Sequence, residues 1–138
     1  MCRRHDIFLV VDEVYREFCY DGKKFTSILS FPEYADRVIC IDSFSKRFSM
    51  CGARIGAIVT KNREFMENCL KMAQARLCSP AVEEVAAEAA LKAPQSYIDS
   101  TVAQYEKRRN LLVNAMQKIE GVRVNMPKGA FYFVADLP

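Results

Sequence analysis

The stretch IDSFSKRFSMCGARIG, residues 41–56, decides the reading of this chain. A short hydrophobic run, Arg37-Val38-Ile39-Cys40-Ile41-Asp42, leads into it and reads as a buried strand ending in an acid. Ser43, Ser45 and Lys46 follow at once. Small residues, Cys51, Gly52 and Ala53, then lead to Arg54, and Ile55 to Thr60 reads as another strand. A lysine amine, two hydroxyls and an arginine therefore gather between two core strands.

Working outward, Ile7-Phe8-Leu9-Val10-Val11 is short, apolar and rich in branched residues, which predicts a fully buried strand. It stops at Asp12-Glu13, with Tyr15 close behind. Asp21-Gly22 signals a turn. Downstream the period changes to helical. Residues 62–77 carry Phe65, Met66, Cys69, Leu70 and Met72 at helical spacing. Ser79 and Pro80 read as cap and opening of a second helix to about Lys92. A third helix is expected over 96–120, with Tyr97, Val102, Tyr105, Leu112, Ala115, Met116 and Ile119 as its apolar stripe and Gly121 as its end. Strand-like pieces at 122–124 and 130–134, joined by Pro127-Lys128-Gly129, predict a small hairpin. The fold class is α/β: strands with loops first, helices after. The expected division is 1–95 and 96–138. The chain enters a core strand within seven residues and stops just after a strand, which reads as a segment of something longer.

Composition narrows the function. The 138 residues are 51% hydrophobic and 27% charged, with a net charge of +3, which describes a globular chain. The clusters Lys61-Asn62-Arg63 and Lys107-Arg108-Arg109 sit beside acids and read as solvated faces, so no nucleic-acid partner is expected. The six cysteines, at 2, 19, 40, 51, 69 and 78, show no C-x-x-C spacing, and His5 is the single histidine. No metal site is expected, and reduced cysteines in a cytoplasmic protein are. No apolar run reaches membrane-spanning length, and no signal peptide is evident.

In open α/β sheets, sites form beyond the carboxyl ends of strands. Here those ends carry Asp12 and Tyr15, then Ser43, Ser45 and Lys46, with Arg54 just before the next strand. No P-loop and no nucleophile–histidine pair occurs. A lysine amine condenses with an aldehyde. An arginine with serine hydroxyls holds a phosphate dianion. A carboxylate keeps a pyridine nitrogen protonated. Pyridoxal phosphate presents all three partners.

Each residue alone has a plainer reading. A lone lysine is a surface residue, and Asp12 alone would cap the turn after its strand. Tyr15 alone would be a core or rim aromatic, Arg54 a salt-bridge partner, and Ser43 and Ser45 loop residues. Cys51 reads as a small packed residue and His5 as a surface residue. Tyr97 and Tyr105 read as helix packing, Phe131 and Tyr132 as hairpin core. The pattern in register favours the site.

Asp12-Glu13-Val14-Tyr15, Ser43-Phe44-Ser45-Lys46 and Gly52-Ala53-Arg54-Ile55-Gly56 together resemble the signature of the fold-type I, class I/II aminotransferases, in the aspartate aminotransferase branch. Pro127-Lys128-Gly129-Ala130-Phe131-Tyr132 resembles that family's P-x-G-A-F-Y motif. The resemblance implies a partial large pyridoxal-phosphate domain over 1–95, then an interdomain helix and partial small domain over 96–138. It implies Lys46 as the Schiff-base lysine and general base, and Asp12 as the partner of the pyridinium nitrogen. Tyr15 would donate to the ring 3-oxygen, and Arg54 and Ser43 would bind the phosphate with Ser45 assisting. It implies amino-group transfer between an amino acid, of aspartate or aromatic type, and a 2-oxo acid, in a homodimer. It also implies that the phosphate-binding helix start, the ring-stacking aromatic and the carboxylate-binding arginine lie outside these residues. Other readings share the scaffold: an inactive isolated fragment, a β-lyase, and a pyridoxal-phosphate-binding transcriptional regulator.

Overall fold

The computed structural model describes residues 2–138. Met1, which the sequence leaves open as a true or an internal start, lies outside the described residues. Two compact units emerge: residues 2–14 with Thr26–Ala93, and Tyr15–Phe25 with Pro94–Pro138.

The first unit is built on a three-stranded sheet in the order β1-β2-β3. A one-turn helix α1 (Cys2–His5) precedes β1 (Leu9–Asp12). β1 runs parallel to β2 (Val38–Ser43), with Leu9 opposite Val38 and Asp12 opposite Ile41. The connection between them carries two 3-10 turns, Ile28–Ser30 and Pro32–Tyr34. β2 then passes into the one-turn helix α2 (Phe44–Arg47), crosses a 3-10 turn at Cys51–Ala53, and returns antiparallel as β3 (Gly56–Val59). Gly56 sits opposite Ser43, and a Cβ there would stand 2.9 Å from the Asp42 carbonyl oxygen. Only glycine lets the strands close at that point.

Burial falls on the central strand. Val38, Ile39 and Cys40 are at most 4% exposed, whereas Val10 of β1 is 58% and Ile58 of β3 is 45% exposed. The expectation of a fully buried first strand is therefore corrected. β1 and β3 are the two edges of a narrow sheet. Parallel pairs ordinarily lie in sheets covered on both faces. The β1 run has the composition of such a covered strand, but the described residues supply no such cover.

Two longer helices complete this unit. In α3 (Arg63–Ala75), Asn62 is the N-cap, and its Oδ1 accepts from Phe65 N at 2.8 Å. Its Nδ2 donates to the Asp36 carbonyl at 2.9 Å, tying the helix start to the turn before β2. α4 spans Ala81–Ala90 with Pro80, not Ser79, at the cap. The Ser79 hydroxyl instead pairs with the Glu84 carboxylate. Pro80 already supplies the extended backbone that a helix entry needs.

The second unit is organised by α5 (Gln95–Met116). Its buried residues are Arg109 and Val113, while Leu112 and Ile119 of the expected stripe are 50% and 56% exposed. The helix turns its buried face to an aromatic cluster and an ion-pair network. Phe18 packs edge-on to Tyr105 at 5.3 Å, and Phe131 stacks on Tyr105 at 5.0 Å between ring centres. The buried Arg109 guanidinium donates to both carboxylate oxygens of Asp21, at 2.8 and 3.0 Å, and to the Pro127 carbonyl. Lys128 adds a third contact to Asp21 at 2.8 Å. The terminal hairpin pairs β4 (Arg123–Val124) with β5 (Ala135–Asp136), so its second strand comes later than 130–134. Ala130 adopts φ 58°, which breaks the extended run, and its N–H donates to the Phe18 carbonyl. Phe131 is thereby turned into the aromatic cluster.

No described helix is long and apolar enough to cross a membrane.

Candidate active site

The parallel pairing of β1 and β2 brings their carboxyl ends to one edge of the sheet. Asp12 closes β1 there, and Ser43 closes β2. Because β3 runs the other way, its first residue, Gly56, meets Ser43, and Arg54 lies just ahead of it. Three of the expected site residues thus share an edge through topology alone. Lys46 joins them on α2, whose start Ser43 caps.

Ser43 works hardest locally. Its Oγ accepts from Ser45 N at 3.1 Å, lies 2.9 Å from Ser45 Oγ and 3.1 Å from the Ile55 carbonyl oxygen. Both hydroxyls are therefore knitted into the α2 cap, which fixes the turn that presents Lys46. The Lys46 side chain is partly buried. Cys51 Sγ lies 3.1 Å from the Ser45 carbonyl, but the residue is exposed, so the expectation of a packed residue is corrected: the loop carries it at the surface.

Asp12 is exposed, and its Oδ1 accepts from Val14 N at 3.1 Å, so it also performs the turn-capping role a strand-end aspartate ordinarily has. Arg54 is held at φ 56°, ψ 36°, a left-handed conformation uncommon for a residue with a Cβ. Its Nη1 donates to the Cys51 carbonyl at 2.9 Å, which leaves the rest of the guanidinium fork open. Asp42 and Arg47 form a close ion pair at 2.7 Å with both side chains largely buried. The pair brackets Lys46 in sequence.

Tyr15 belongs to the second unit. Its ring packs edge-on against Phe131 at 5.0 Å and Tyr132 at 5.4 Å. Asp12, Ser43, Ser45, Lys46 and Arg54 are all in the first unit.

Two features escaped the sequence reading. Glu13 is 2% exposed; its Oε1 accepts from Ile28 N at 2.8 Å, while its Oε2 is buried with no hydrogen-bond partner among the described residues. A glutamate beside a strand-end aspartate carries no signal that it points inward. The Asp42–Arg47 pair had a weak signal, an acid at a strand end and a base one helical turn later.

The donor set fits pyridoxal phosphate chemically. It offers an amine, a carboxylate with one oxygen left for a ring nitrogen, and a guanidinium open to an anion.

The sequence profile described as aminotransferase class I and II matches residues 1–138. A bifunctional aspartate aminotransferase and glutamate/aspartate-prephenate aminotransferase of Petunia hybrida is 36% identical over 140 residues, covering 97% of this chain and 29% of its own. The crystal structure of the aspartate aminotransferase from Rhizobium meliloti superposes with a TM-score of 0.87 at 28% identity, over 96% of this chain and 34% of that one. An aromatic aminotransferase from Pyrococcus horikoshii OT3 gives 0.82 at 33% identity, over 96% and 36%. The chain spans about a third of the length of the relatives it matches. With the profile matched from end to end, and the lysine, aspartate and arginine on one sheet edge, the chain belongs to the class I and II aminotransferases.

Proposed function

We propose that this chain carries the lysine side of a pyridoxal-phosphate site that transfers an amino group between an amino acid and a 2-oxo acid. The observation that carries the reading is the shared sheet edge of Asp12, Ser43 and Arg54, with Lys46 on the turn that Ser43 caps.

Lys46 would hold the cofactor covalently through Nζ. Asp12 would keep the ring nitrogen protonated, and Tyr15 would donate to the ring 3-oxygen. Arg54 would hold the phosphate, with Ser43 and Ser45 bracing the turn between them. When bound, pyridoxal phosphate supplies an aldehyde that reacts with amines and a ring that draws electron density from the substrate Cα. When its Nζ is not bonded to the cofactor, Lys46 would act as a neutral general base that takes the substrate Cα proton and delivers it away from Cα, since return to Cα would transfer no amino group. The Asp12 carboxylate, by its negative charge, favours the protonated ring nitrogen throughout.

Aspartate or aromatic amino acids are the substrates we propose, on the strength of the relatives' names, with 2-oxoglutarate as acceptor from the family resemblance alone. A homodimer, a cytoplasmic setting, a large domain over 1–95 and a small one from 96 belong to the same proposal. The activity belongs to an assembly longer than these residues; the 138-residue chain alone is expected to turn over little or nothing. The test is an absorbance spectrum of the chain with pyridoxal phosphate, beside Lys46→Ala. A visible band shifted from that of free cofactor, absent in Lys46→Ala, supports the reading. The same band in both proteins refutes Lys46 as the anchor.

A further inference from the structure

We infer that the cavity lined by Arg54, Ala73, Arg76, Cys78, Ser79 and Pro80 is an oxyanion site, in which Arg76 supplies a second guanidinium to the phosphate monoester that Arg54 binds. The inference rests on the reading of Arg54 as a phosphate-binding residue and adds Arg76 to it.

The first ground is convergence. Arg54, from the turn before β3, and Arg76, from the end of α3, line one cavity of about 240 Å3 within the first unit. The second is the absence of a counter-charge. Arg37, Arg47 and Arg109 each have a carboxylate partner, Asp6, Asp42 and Asp21 respectively. Neither Arg54 nor Arg76 has one among the described residues. Ser79, in the cavity wall, pairs through its hydroxyl with the Glu84 carboxylate of α4. Two arginines in the lining of one cavity bring like charges near each other, which an anion between them would offset, and the planar fork of arginine suits a bidentate grip on phosphate. The third ground is the backbone. Arg54 at φ 56° and Leu77 at φ 72° are both left-handed, and the second turns the chain immediately after Arg76. Left-handed backbone at residues other than glycine persists where surrounding structure enforces it, and it gathers at functional sites. The helix dipole of α3 favours a cation at its C-terminus. That accounts for a base at position 76 but not for its sharing a cavity with Arg54.

Calorimetric titration of the chain with inorganic phosphate at constant ionic strength, with sodium chloride and sodium acetate as comparison anions, tests this. Wild type should bind phosphate saturably and acetate weakly. Arg54→Ala and Arg76→Ala should each weaken phosphate binding about tenfold or more, and Arg76→Lys by less, since it keeps the charge and loses the fork. Arg63→Ala removes an equal charge from the other end of α3 and should change binding by less than about twofold. The replaced arginines are exposed, and circular dichroism checks that each variant keeps its fold. Arg76→Ala behaving like Arg63→Ala overturns the inference. So does phosphate binding no better than chloride, or acetate binding as tightly as phosphate. Cofactor attachment at Lys46 is read separately by absorbance, so that reading and this one fail independently.

Discussion

Ser43 shows how one residue serves two scales. It closes β2, caps α2 and so sets the direction in which Lys46 leaves the sheet. Ser43→Ala should cost about 1 kcal/mol of stability through the lost cap and should weaken cofactor capture by Lys46 as the turn loosens; chemical denaturation and cofactor titration check the two effects. Gly56→Ala is the sharper structural probe. The added Cβ would stand 2.9 Å from a backbone oxygen that cannot swing away, so the strands must part. A loss of about 1–3 kcal/mol in unfolding free energy, read from a lowered denaturant midpoint, is expected. Arg54→Gly, by contrast, relieves a left-handed arginine. It should leave stability within about 1 kcal/mol of wild type while weakening phosphate binding about tenfold or more, as expected of Arg54→Ala, which separates strain from function. At this scale the chemistry was legible because amine, carboxylate and guanidinium are residue types. The burial of Glu13 was not, since neighbouring acids look alike until the strand end turns one of them inward.

Among the elements, α3 and α5 were the easiest to read. Their periodicity is long, and Asn62 caps α3 where a helix start was expected. Asn62→Ala should lower the thermal midpoint, with about 1 kcal/mol lost, because Phe65 N loses its acceptor and the tie to Asp36 goes too. The stripe of α5 was misread for a physical reason. Arg109 looks like a solvated residue in a basic cluster, yet Asp21, far away in sequence, draws it inside. That pairing leaves a pH signature. Hydrogen bonds from Arg109, then from Lys128, hold the Asp21 carboxyl well below the usual aspartate range. A carboxyl whose folded pKa lies below its unfolded one stabilises the fold above the unfolded value, near ~3.9, and loses that contribution as pH falls toward the folded value. Thermal midpoints of wild type should therefore fall as pH drops below about 4, and Asp21→Asn should show a smaller fall from a lower start. Equal slopes would count against the network. The hairpin was misplaced because extended composition at 130–134 cannot reveal that Ala130 turns left-handed.

For the molecule as a whole, the sheet is the informative part. Leu9 and Val10 of β1 and Ile58 and Val59 of β3 are exposed, on strands whose composition belongs to a covered interior. The class could be read because apolar runs alternate with chemistry-bearing ends. Which runs are covered could not, because an apolar composition marks a strand as suited to a covered position without showing what packs on it. Two bare strand edges with apolar faces invite association. The chain should bind a hydrophobic dye strongly and scatter light increasingly with concentration, and Val10→Lys should reduce both. A dye-silent, monomeric chain at all concentrations would mean these faces are covered in solution.

The central claim is that Lys46 is the residue that takes the cofactor. The most direct measurement is borohydride reduction of the chain mixed with pyridoxal phosphate, followed by peptide mass spectrometry. The account predicts a reduced pyridoxyl adduct concentrated on the peptide containing Lys46, and lost in Lys46→Ala. Label spread evenly over the chain's lysines, or unchanged by Lys46→Ala, would contradict it.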